Sequence, residues 1–284
     1  MTRYVALFGD PVDGNPTSRM QNAAFHATGL DWWYLDIRIQ TGRLGDAVQA
    51  ARVLGFGGLN LTLPHKIAVI PYLDGLERSA EISGAVNTVR REPDGRLIGL
   101  NTDGLGFLRA LRDAGIEPAG LRVVILGAGG AARAVAVELA LAGASKIVVV
   151  NRSAGRRNEL VAMIQDRTPA EARGVDWTGN LRPPACDLLV NCTPIGMGSG
   201  EAAERTPPVD LGGLATAAVV CDLNPDRAES AFLRAARAGG HRTLGGLPML
   251  ARQGAAGFEA WTGQPAPLEL MIEELEQAAR ATTE

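Results

Sequence analysis

The stretch Arg122-Val123-Val124-Ile125-Leu126-Gly127-Ala128-Gly129-Gly130-Ala131-Ala132-Arg133 runs from a β-branched apolar segment through glycines into an alanine-rich, helix-favouring segment, Ala134 to Ala142. Strand, tight turn and helix in that order make the phosphate-binding corner of a dinucleotide site. Gly127, Gly129 and Gly130, with Ala128 and Ala131 beside them, let backbone approach a phosphate closely. The unpaired amides of the helix N-terminus behind them offer donors and partial positive charge to a pyrophosphate. A Gly-x-Gly-x-x-Ala match also occurs in ordinary glycine turns, so its weight rests on what surrounds it.

Downstream, the apolar run Ile147 to Val150 reads as the next strand and ends at Asn151-Arg152-Ser153, with Arg156 one turn further on. An NAD site places Asp or Glu at this strand tip for the ribose 2′-hydroxyl. Arginine stands here instead, and a guanidinium suits the 2′-phosphate of NADP, the plainer alternative being solvated arginines at a helix start. Strands are expected at Leu188 to Cys192 and Val219 to Leu223. The first leads into Thr193-Pro194-Ile195-Gly196-Met197, a loop at the carboxyl end of the sheet where the nicotinamide end would lie. Gly198 to Leu214 reads as a mobile surface loop. A helix at Ala231 to Ala238 and a strand near Thr243 complete this domain. Gly245-Gly246-Leu247-Pro248-Met249-Leu250 then reads as a hinge, followed by helices over Leu250 to Trp261 and Leu268 to Ala279. Leu268, Met271, Ile272 and Leu275 form one apolar stripe for packing. Gln253 is either a surface residue or a polar group reaching a cleft.

Upstream, Tyr4 to Phe8 reads as the first strand, followed by a polar, turn-rich loop, Gly9 to Ser18, and a helix from about Arg19 to Thr28. Thr17 or Ser18 can cap that helix. Alternatively, Asn15 and Thr17 present an amide and a hydroxyl to a pocket beyond the strand's carboxyl end. After a strand (Trp33 to Ile37) and a helix (Leu44 to Leu54), Leu59, Leu61 and Leu63 alternate with Asn60 and Thr62 as a period-two strand closed by Pro64. Asn60 and Lys66 thus stand near opposite ends of one short element. His65 reads as a surface or packing residue. Glu77 to Ile82 reads as helix, and Gly84 to Val89 leads into a hairpin turning at Pro93-Asp94-Gly95. Asp103 heads a further helix, Leu105 to Ala114, either as a plain N-cap or as a carboxylate bonded to Lys66 and a substrate hydroxyl.

Composition narrows the classes. With 284 residues, 46% hydrophobic and 21% charged, the chain can build one large or two modest cores. A net charge of -3 leaves no basic footprint for nucleic acid. The three cysteines, Cys186, Cys192 and Cys221, lie in or beside predicted apolar strands and read as buried small hydrophobes, with no disulfide expected. The N-terminal strand is too short and wrongly flanked for a signal peptide, and no apolar run reaches the roughly 20 residues of a membrane span. A cytoplasmic protein without membrane contact is expected. His65 has no second ligand at metal spacing, so no metal is expected. Lysine usage is more telling, because only Lys66 and Lys146 interrupt an all-arginine set of basic side chains. Lys146 opens a strand and reads as a solvated edge residue. Arginine cannot exchange a proton near neutral pH and lysine can, so Lys66, in a turn flanked by glycine and proline, is either a proton-transfer residue or a surface lysine.

Taken together, the segments Asn60-Leu61-Thr62-Leu63-Pro64-His65-Lys66, Gly84-Ala85-Val86-Asn87-Thr88, Asn101-Thr102-Asp103-Gly104, Gly127-Ala128-Gly129-Gly130-Ala131, Asn151-Arg152-Ser153 and Asn191-Cys192-Thr193-Pro194-Ile195-Gly196-Met197 resemble the shikimate dehydrogenase family over essentially the whole chain. The resemblance implies an α/β protein of two domains with a deep cleft between them. Residues 1–103 plus 246–284 would form the substrate domain and 104–245 a Rossmann-type NADP domain. It implies an NADPH-dependent reduction of 3-dehydroshikimate to shikimate, with a place in aromatic amino acid and chorismate biosynthesis, by a monomer or homodimer acting on a small cyclic hydroxy acid. Lys66 and Asp103 would be the catalytic pair, and Asn15, Thr17, Asn60, Thr62, Asn87 and Gln253 would bind substrate. Gly127, Ala128, Gly129, Gly130, Ala131, Asn151, Arg152, Ser153, Arg156, Thr193 and Met249 would bind NADP(H).

Two departures from the family pattern bear on substrate. The usual Ser-x-Ser that grips the substrate carboxylate is here Asn15-Pro16-Thr17, and Asp222-Leu223-Asn224-Pro225 stands where a tyrosine is common. Quinate or another substituted cyclohexane carboxylate is therefore an alternative substrate. A non-catalytic NADP(H) sensor fits less well, because both members of the Lys-Asp pair are present. A glutamyl-tRNA reductase needs a cysteine in its first domain, and the first here is Cys186. A methylene-tetrahydrofolate dehydrogenase would carry tyrosine four residues before the lysine, where Thr62 stands.

Overall fold

Val5, Ala6, Leu7 and Phe8 are each at most 3% exposed because β1 (Arg3–Gly9), which carries them, lies inside a sheet covered on both faces. The computed structural model describes residues 1–198, 200–225 and 229–281. Ser199, in the expected Gly198 to Leu214 loop, lies outside them. That loop holds short 3-10 turns at Gly200–Ala202 and Leu211–Gly213 and buries Ala203 completely.

After β1 come α1 (Thr17–Ala27), β2 (Trp32–Arg38), α2 (Leu44–Val53), β3 (Gly58–Leu61), α3 (His65–Ala68), β4 (Gly75–Leu76), α4 (Arg78–Ser83), β5 (Thr88–Arg91), β6 (Leu97–Leu100) and α5 (Thr102–Asp113). Then follow β7 (Arg122–Leu126), α6 (Gly130–Leu141), β8 (Lys146–Asn151), α7 (Ala154–Arg167), β9 (Glu171–Asp176), β10 (Leu188–Asn191), β11 (Val219–Asp222), α8 (Ala231–Ala238), β12 (Arg242–Leu244), α9 (Gly246–Thr262) and α10 (Leu268–Ala281). The chain divides into two compact units, Met1–Asp103 with Ala251–Ala278, and Gly104–Leu250 with the residues from Ala279 on.

In the first unit six strands lie in the order β2-β1-β3-β5-β6-β4. β1 pairs in parallel with β2 and β3, whereas β5 runs antiparallel to both β3 and β6. Strand alternation sorts the two faces. Ala6, Phe8, Leu59, Leu61 and Val89 pack with Leu44, Val48 and Ala51 of α2 in one cluster. Tyr34, Asn60 and Thr88 take the opposite face, where Phe25 of α1 stacks on Phe258 of α9 at 5.3 Å and Trp261 donates to the Val89 carbonyl. Within α10, Met271 and Leu275 are the buried part of the expected stripe, at 0% and 2% exposure.

The second unit is an all-parallel sheet in the order β12-β11-β10-β7-β8-β9. The strand sequence reverses direction between β7 and β10, the place where open α/β sheets leave a crevice at their carboxyl ends. Val123, Ile125, Val135, Leu139, Ile147 and Val149 form its central core. No helix among the described residues is long and apolar enough to cross a membrane.

Several expectations need correction. β3 ends at Leu61 instead of running to Pro64, and Leu63 is 74% exposed. Pro64 has no N–H for a ladder, and the His65 amide bonds back to the Thr62 carbonyl, so the chain turns into α3. The expected hinge at Gly245 to Leu250 is helical from Gly246, and the unit boundary falls after Leu250. Pro248 is tolerated there because the first amides of a helix have no intrahelical acceptor. Gly246 is required by packing: a Cβ would lie 2.6 Å from the carbonyl oxygens of Leu223 and Asn224. β9 was not anticipated, since Glu171-Ala172-Arg173-Gly174-Val175-Asp176 is a mostly polar edge strand with only Ala172 buried. Its presence places Lys146 inside the sheet, opposite Glu171 at 2.7 Å, and not on an edge.

Candidate active site

Lys66 and Asp103 are 37 residues apart in the chain, yet Lys66 Nζ donates to Asp103 Oδ2 at 2.6 Å. Both lie in the first unit. Lys66 sits on the short helix α3, which His65 anchors: its ring is 2% exposed and its Nε2 lies 2.7 Å from the Ile39 carbonyl. His65 is thus a packing residue. The Lys66 carbonyl accepts from the Val86 amide, tying α3 to the segment that carries Asn87. Side-chain exposures of 28% for Lys66 and 17% for Asp103 leave the pair accessible.

Asp103 does not cap α5. It lies in the first turn, and the Asn101 Oδ1 accepts from its amide at 3.2 Å. Asn101, which sequence reasoning passed over, therefore does the capping. Its own Nδ2 donates to the Ala85 carbonyl at 3.0 Å. Asn101→Ala should destabilise the protein by about 1–2 kcal/mol in chemical denaturation, through loss of the cap and of this buried bond. With its role as cap removed, the Asp103 carboxylate is divided between two donors: Lys66 on Oδ2 and Asn87 Nδ2, at 2.8 Å, on Oδ1.

Asn87 is the hub. Its Oδ1 accepts from the Thr102 amide at 2.7 Å, and its Nδ2 also lies 3.3 Å from Gln253 Oε1. Gln253 is 8% exposed, which settles its placement away from the surface, and its Nε2 has no partner among the described residues. It stands as an available donor. Asn60 is more committed. Its Nδ2 donates to the Asn87 carbonyl and the Thr88 hydroxyl, and its Oδ1 accepts from Tyr34 at 2.7 Å. Burial pushes the Tyr34 phenol well above its usual pKa, so it stays protonated and donates. One acceptor lone pair on Asn60 is left for a ligand. Thr62 lies against the end of β1: a Cβ on Gly9 would meet its methyl group at 2.3 Å.

The α1 N-terminus also differs from expectation. Neither Thr17 nor Ser18 caps the helix; Pro16 holds the cap position and makes no side-chain bond. Asn15 Oδ1 accepts from the Thr17 amide at 2.9 Å, an Asx-type turn that satisfies the first donor.

In the second unit the glycine turn leaves room for a ligand. Gly127 has φ +107°, a backbone state that favours glycine, and a Cβ there would come 3.2 Å from the Thr193 methyl. Gly129 and Gly130 face open space, are exposed, and begin α6 without any side-chain cap. Ala128 is 8% exposed and Ala131 partly buried. Amides that no side chain among the described residues caps, next to open space, fit a pyrophosphate. Arg133, in the first turn of α6, was not singled out from sequence. Its Nε is buried without a partner while its Nη2 lies 3.7 Å from Glu159.

At the tip of β8, Asn151 Nδ2 donates to the Ser153 carbonyl at 3.0 Å, and Ser153 holds the N-cap position of α7 without a side-chain cap bond. Arg152 and Arg156 are exposed, and no carboxylate partner is found for either among the described residues. Arg157 differs, being ion-paired with Asp176. Thr193 donates to Asn191 Oδ1 at 2.7 Å, which fixes the loop after β10. Met249 packs at 9% exposure in the central core of this unit, so its side chain is not the open contact expected for a cofactor residue. No group of three or more metal-ligating side chains is found among the described residues. The three cysteines are free.

A second node here was not legible beforehand. Asp222, 1% exposed at the end of β11, accepts from Ser230 at 2.6 Å, from Asn191 at 2.9 Å and from the Asn224 amide at 3.2 Å. Burial nevertheless raises its pKa above the ordinary carboxyl value, against the lowering effect of these bonds.

Residues 7–89 match the family model for the shikimate dehydrogenase substrate binding domain, residues 111–176 that of shikimate / quinate 5-dehydrogenase, and residues 246–276 that of the shikimate 5′-dehydrogenase C-terminal domain. The NADP(+) shikimate dehydrogenase of Moorella thermoacetica is 44% identical, covering 99% of this chain and 95% of its own. Among solved structures, the ligand-free 5-ketofructose reductase of Gluconobacter sp. strain CHM43 is similar at a TM-score of 0.93 and 43% identity, covering 98% of this chain and 99% of its own. The shikimate 5-dehydrogenase of Thermus thermophilus, in complex with NADP(H) and shikimate, is similar at a TM-score of 0.84 and 34% identity, covering 98% of this chain and 100% of its own. With full-length relatives at this identity and matches in both units, the chain belongs to the shikimate dehydrogenase family.

Proposed function

We propose that this chain catalyses the NADPH-dependent, reversible reduction of a ketone on a small hydroxylated substrate, the family reaction being 3-dehydroshikimate to shikimate. The observation that carries this reading is the Lys66–Asp103 pair at 2.6 Å, held by Asn87. Bound NADPH supplies the hydride. The carbonyl oxygen then needs a proton, and a lysine ammonium can release one where a guanidinium cannot. Lys66 Nζ is the donor in this scheme. Asp103 Oδ2 orients that ammonium, and Asn87 fixes the carboxylate from its other oxygen. Gln253, with an uncommitted Nε2, donates to a substrate hydroxyl.

Gly127 to Ala131 would take the pyrophosphate, with Arg133 beside them as a further donor. Arg152, Ser153 and Arg156 would take the 2′-phosphate. The double variant Arg152→Ala, Arg156→Ala should raise the Kd for NADP⁺ about ten- to a hundredfold, the loss expected for charge-assisted bonds, with the Kd for NAD⁺ changed less than about threefold. Fluorescence titration of both nucleotides checks this.

A second reading of the substrate is favoured by the Asn15-Pro16-Thr17 turn and by the similarity to a 5-ketofructose reductase. On that reading the ketone belongs to an open-chain or cyclised sugar with no carboxylate. The test for both is nicotinamide absorbance with 3-dehydroshikimate and 5-ketofructose in the reducing direction and shikimate and quinate in the oxidising direction. The proposal fails if none of the four is turned over with NADP(H).

A further inference from the structure

Asn191 and Asp222 are the last residues of the adjacent strands β10 and β11, where they pair in register, and Asn224 follows two positions on. The three are 0%, 1% and 7% exposed, and polar side chains buried to that degree are held by the bonds they make. Asn191 Nδ2 and the Asn224 backbone amide both donate to Asp222 Oδ1, at 2.9 and 3.2 Å. A carboxylate on that side fixes which end of the Asn191 carboxamide turns away from it. The end that turns away is Oδ1, which accepts from the Thr193 amide at 3.1 Å and from the Thr193 hydroxyl at 2.7 Å.

The Asn224 side chain grips the same loop from the other strand. Its Nδ2 donates to the Ile195 carbonyl at 2.9 Å, while the Ile195 amide donates to the Thr193 hydroxyl at 3.3 Å. The Met197 amide closes the turn on the Pro194 carbonyl at 3.1 Å. Gly196 bends there at φ +91°, and a Cβ on it would come 3.5 Å from Asn224 Nδ2. Asn224 is itself a fixed arm, because its carbonyl oxygen packs 2.6 Å from where a Gly246 Cβ would stand. Two carboxamides, one beyond each strand end, thus set the shape of the 193–197 loop.

The place of that loop gives its shape a use. β7 lies between β8 and β10, and the glycine turn follows β7 as the loop follows β10. The Thr193 methyl group is 3.2 Å from the position of a Gly127 Cβ, so loop and turn touch. A dinucleotide with its 2′-phosphate at the tip of β8 crosses the glycine turn and reaches β10 with its other half. We infer that Asn191 and Asn224, with Asp222 behind the first, are positioning residues that hold the 193–197 loop in the shape that receives the nicotinamide ring. This rests on the proposed seating of the two phosphate groups and adds the residues that place the reactive end. None of the three has to touch the ring. A ring displaced by about 1 Å from the ketone costs about a hundredfold in rate, which is why the loop is held at so many points.

The probes are NADPH and 2′-phospho-ADP-ribose, which keeps the pyrophosphate and the 2′-phosphate and lacks nicotinamide, each titrated calorimetrically into the full-length protein. In Asn224→Ala the Kd for NADPH should rise at least about threefold more than the Kd for 2′-phospho-ADP-ribose, the scale of one lost hydrogen bond. Asn191→Ala should widen the gap at least as far, since it releases Thr193 as well. General loosening of the domain weakens both nucleotides alike, so the ratio of the two constants separates positioning from loss of structure. Should Asn191→Ala fail to fold, Asn224→Ala decides alone, because it leaves that position's backbone bond to Asp222 in place. An unchanged ratio, whether both constants rise equally or neither moves, overturns the inference. No ketone enters the measurement, so that result leaves the proposed reduction standing. A wild-type protein that binds neither nucleotide overturns it together with the seating on which it rests.

Discussion

Lys66→Ala should lower kcat by two to four orders of magnitude while changing the Kd for NADPH less than about threefold, because general acid catalysis contributes about 10²–10⁴ in rate. The size follows from the position of Lys66, whose ammonium is held 2.6 Å from Asp103 and is partly open to a ligand. Lys66→Arg separates two explanations of such a loss. It keeps the positive charge and can pair with Asp103, but a guanidinium does not release its proton at neutral pH. If the lysine only stabilises developing negative charge, the arginine variant recovers most of the rate; if it transfers a proton, the variant is nearly as slow as alanine. Steady-state rates of both, with nucleotide binding measured alongside, decide the matter. Turnover of Lys66→Ala within tenfold of the wild type would remove the assignment.

The largest structural effect is expected at Asp222. Asp222→Ala leaves Ser230, the Asn191 amide and the Asn224 backbone N–H without their acceptor in a buried place, and should cost about 3 kcal/mol or more. Asp222→Asn retains an acceptor for Asn191 and Asn224, and Ser230 can turn to accept from the new amide, so its cost at neutral pH should stay within about 1 kcal/mol. The pH dependence has a definite sign. Because burial raises the folded-state pKa above the reference value of 3.8, ionisation of this carboxyl works against the folded state. The stabilising effect of the protonated form is complete below that reference value and is lost as pH rises through the higher folded value. The asparagine variant never ionises. Its stability should therefore improve relative to wild type as pH climbs from below 4 toward neutrality, which urea titrations at several pH values can measure.

Features carried by a local pattern were legible in the chain, whereas the roles of the residues in them are those proposed above. The strand, glycine turn and helix around Gly127, the arginine at the tip of β8 and the rare lysine at position 66 each declare themselves within a few neighbours. Residues whose role depends on a partner far away did not. Tyr34 matters because sheet register brings β2 within reach of Asn60 on β3, and nothing near Tyr34 in the chain indicates it. Asn101 was hidden behind Asp103, the stronger apparent cap. Asp222 was noticed only as a missing tyrosine, since its partners come from three other segments. The first turn of α9 carries Gly-Gly and Pro, which signal a break, whereas here a close backbone approach demands Gly246 and a helix start accommodates Pro248. β9 lacked apolar alternation because an edge strand over a helix needs little of it.

Asn101 and Asp103 divide two tasks that many helix starts assign to a single side chain: one caps α5 and the other pairs with Lys66 and Asn87. If Asp103 acts as proposed, the consequence is an inactive protein that keeps its fold. Asp103→Asn alters one atom, spares the anchoring of α5, and keeps an oxygen for Lys66, at the cost of turning an amide N–H toward the Asn87 Nδ2 donor. Such a form should sequester nucleotide and ketone together without consuming them, which makes it the natural vehicle for seeing the true substrate in place.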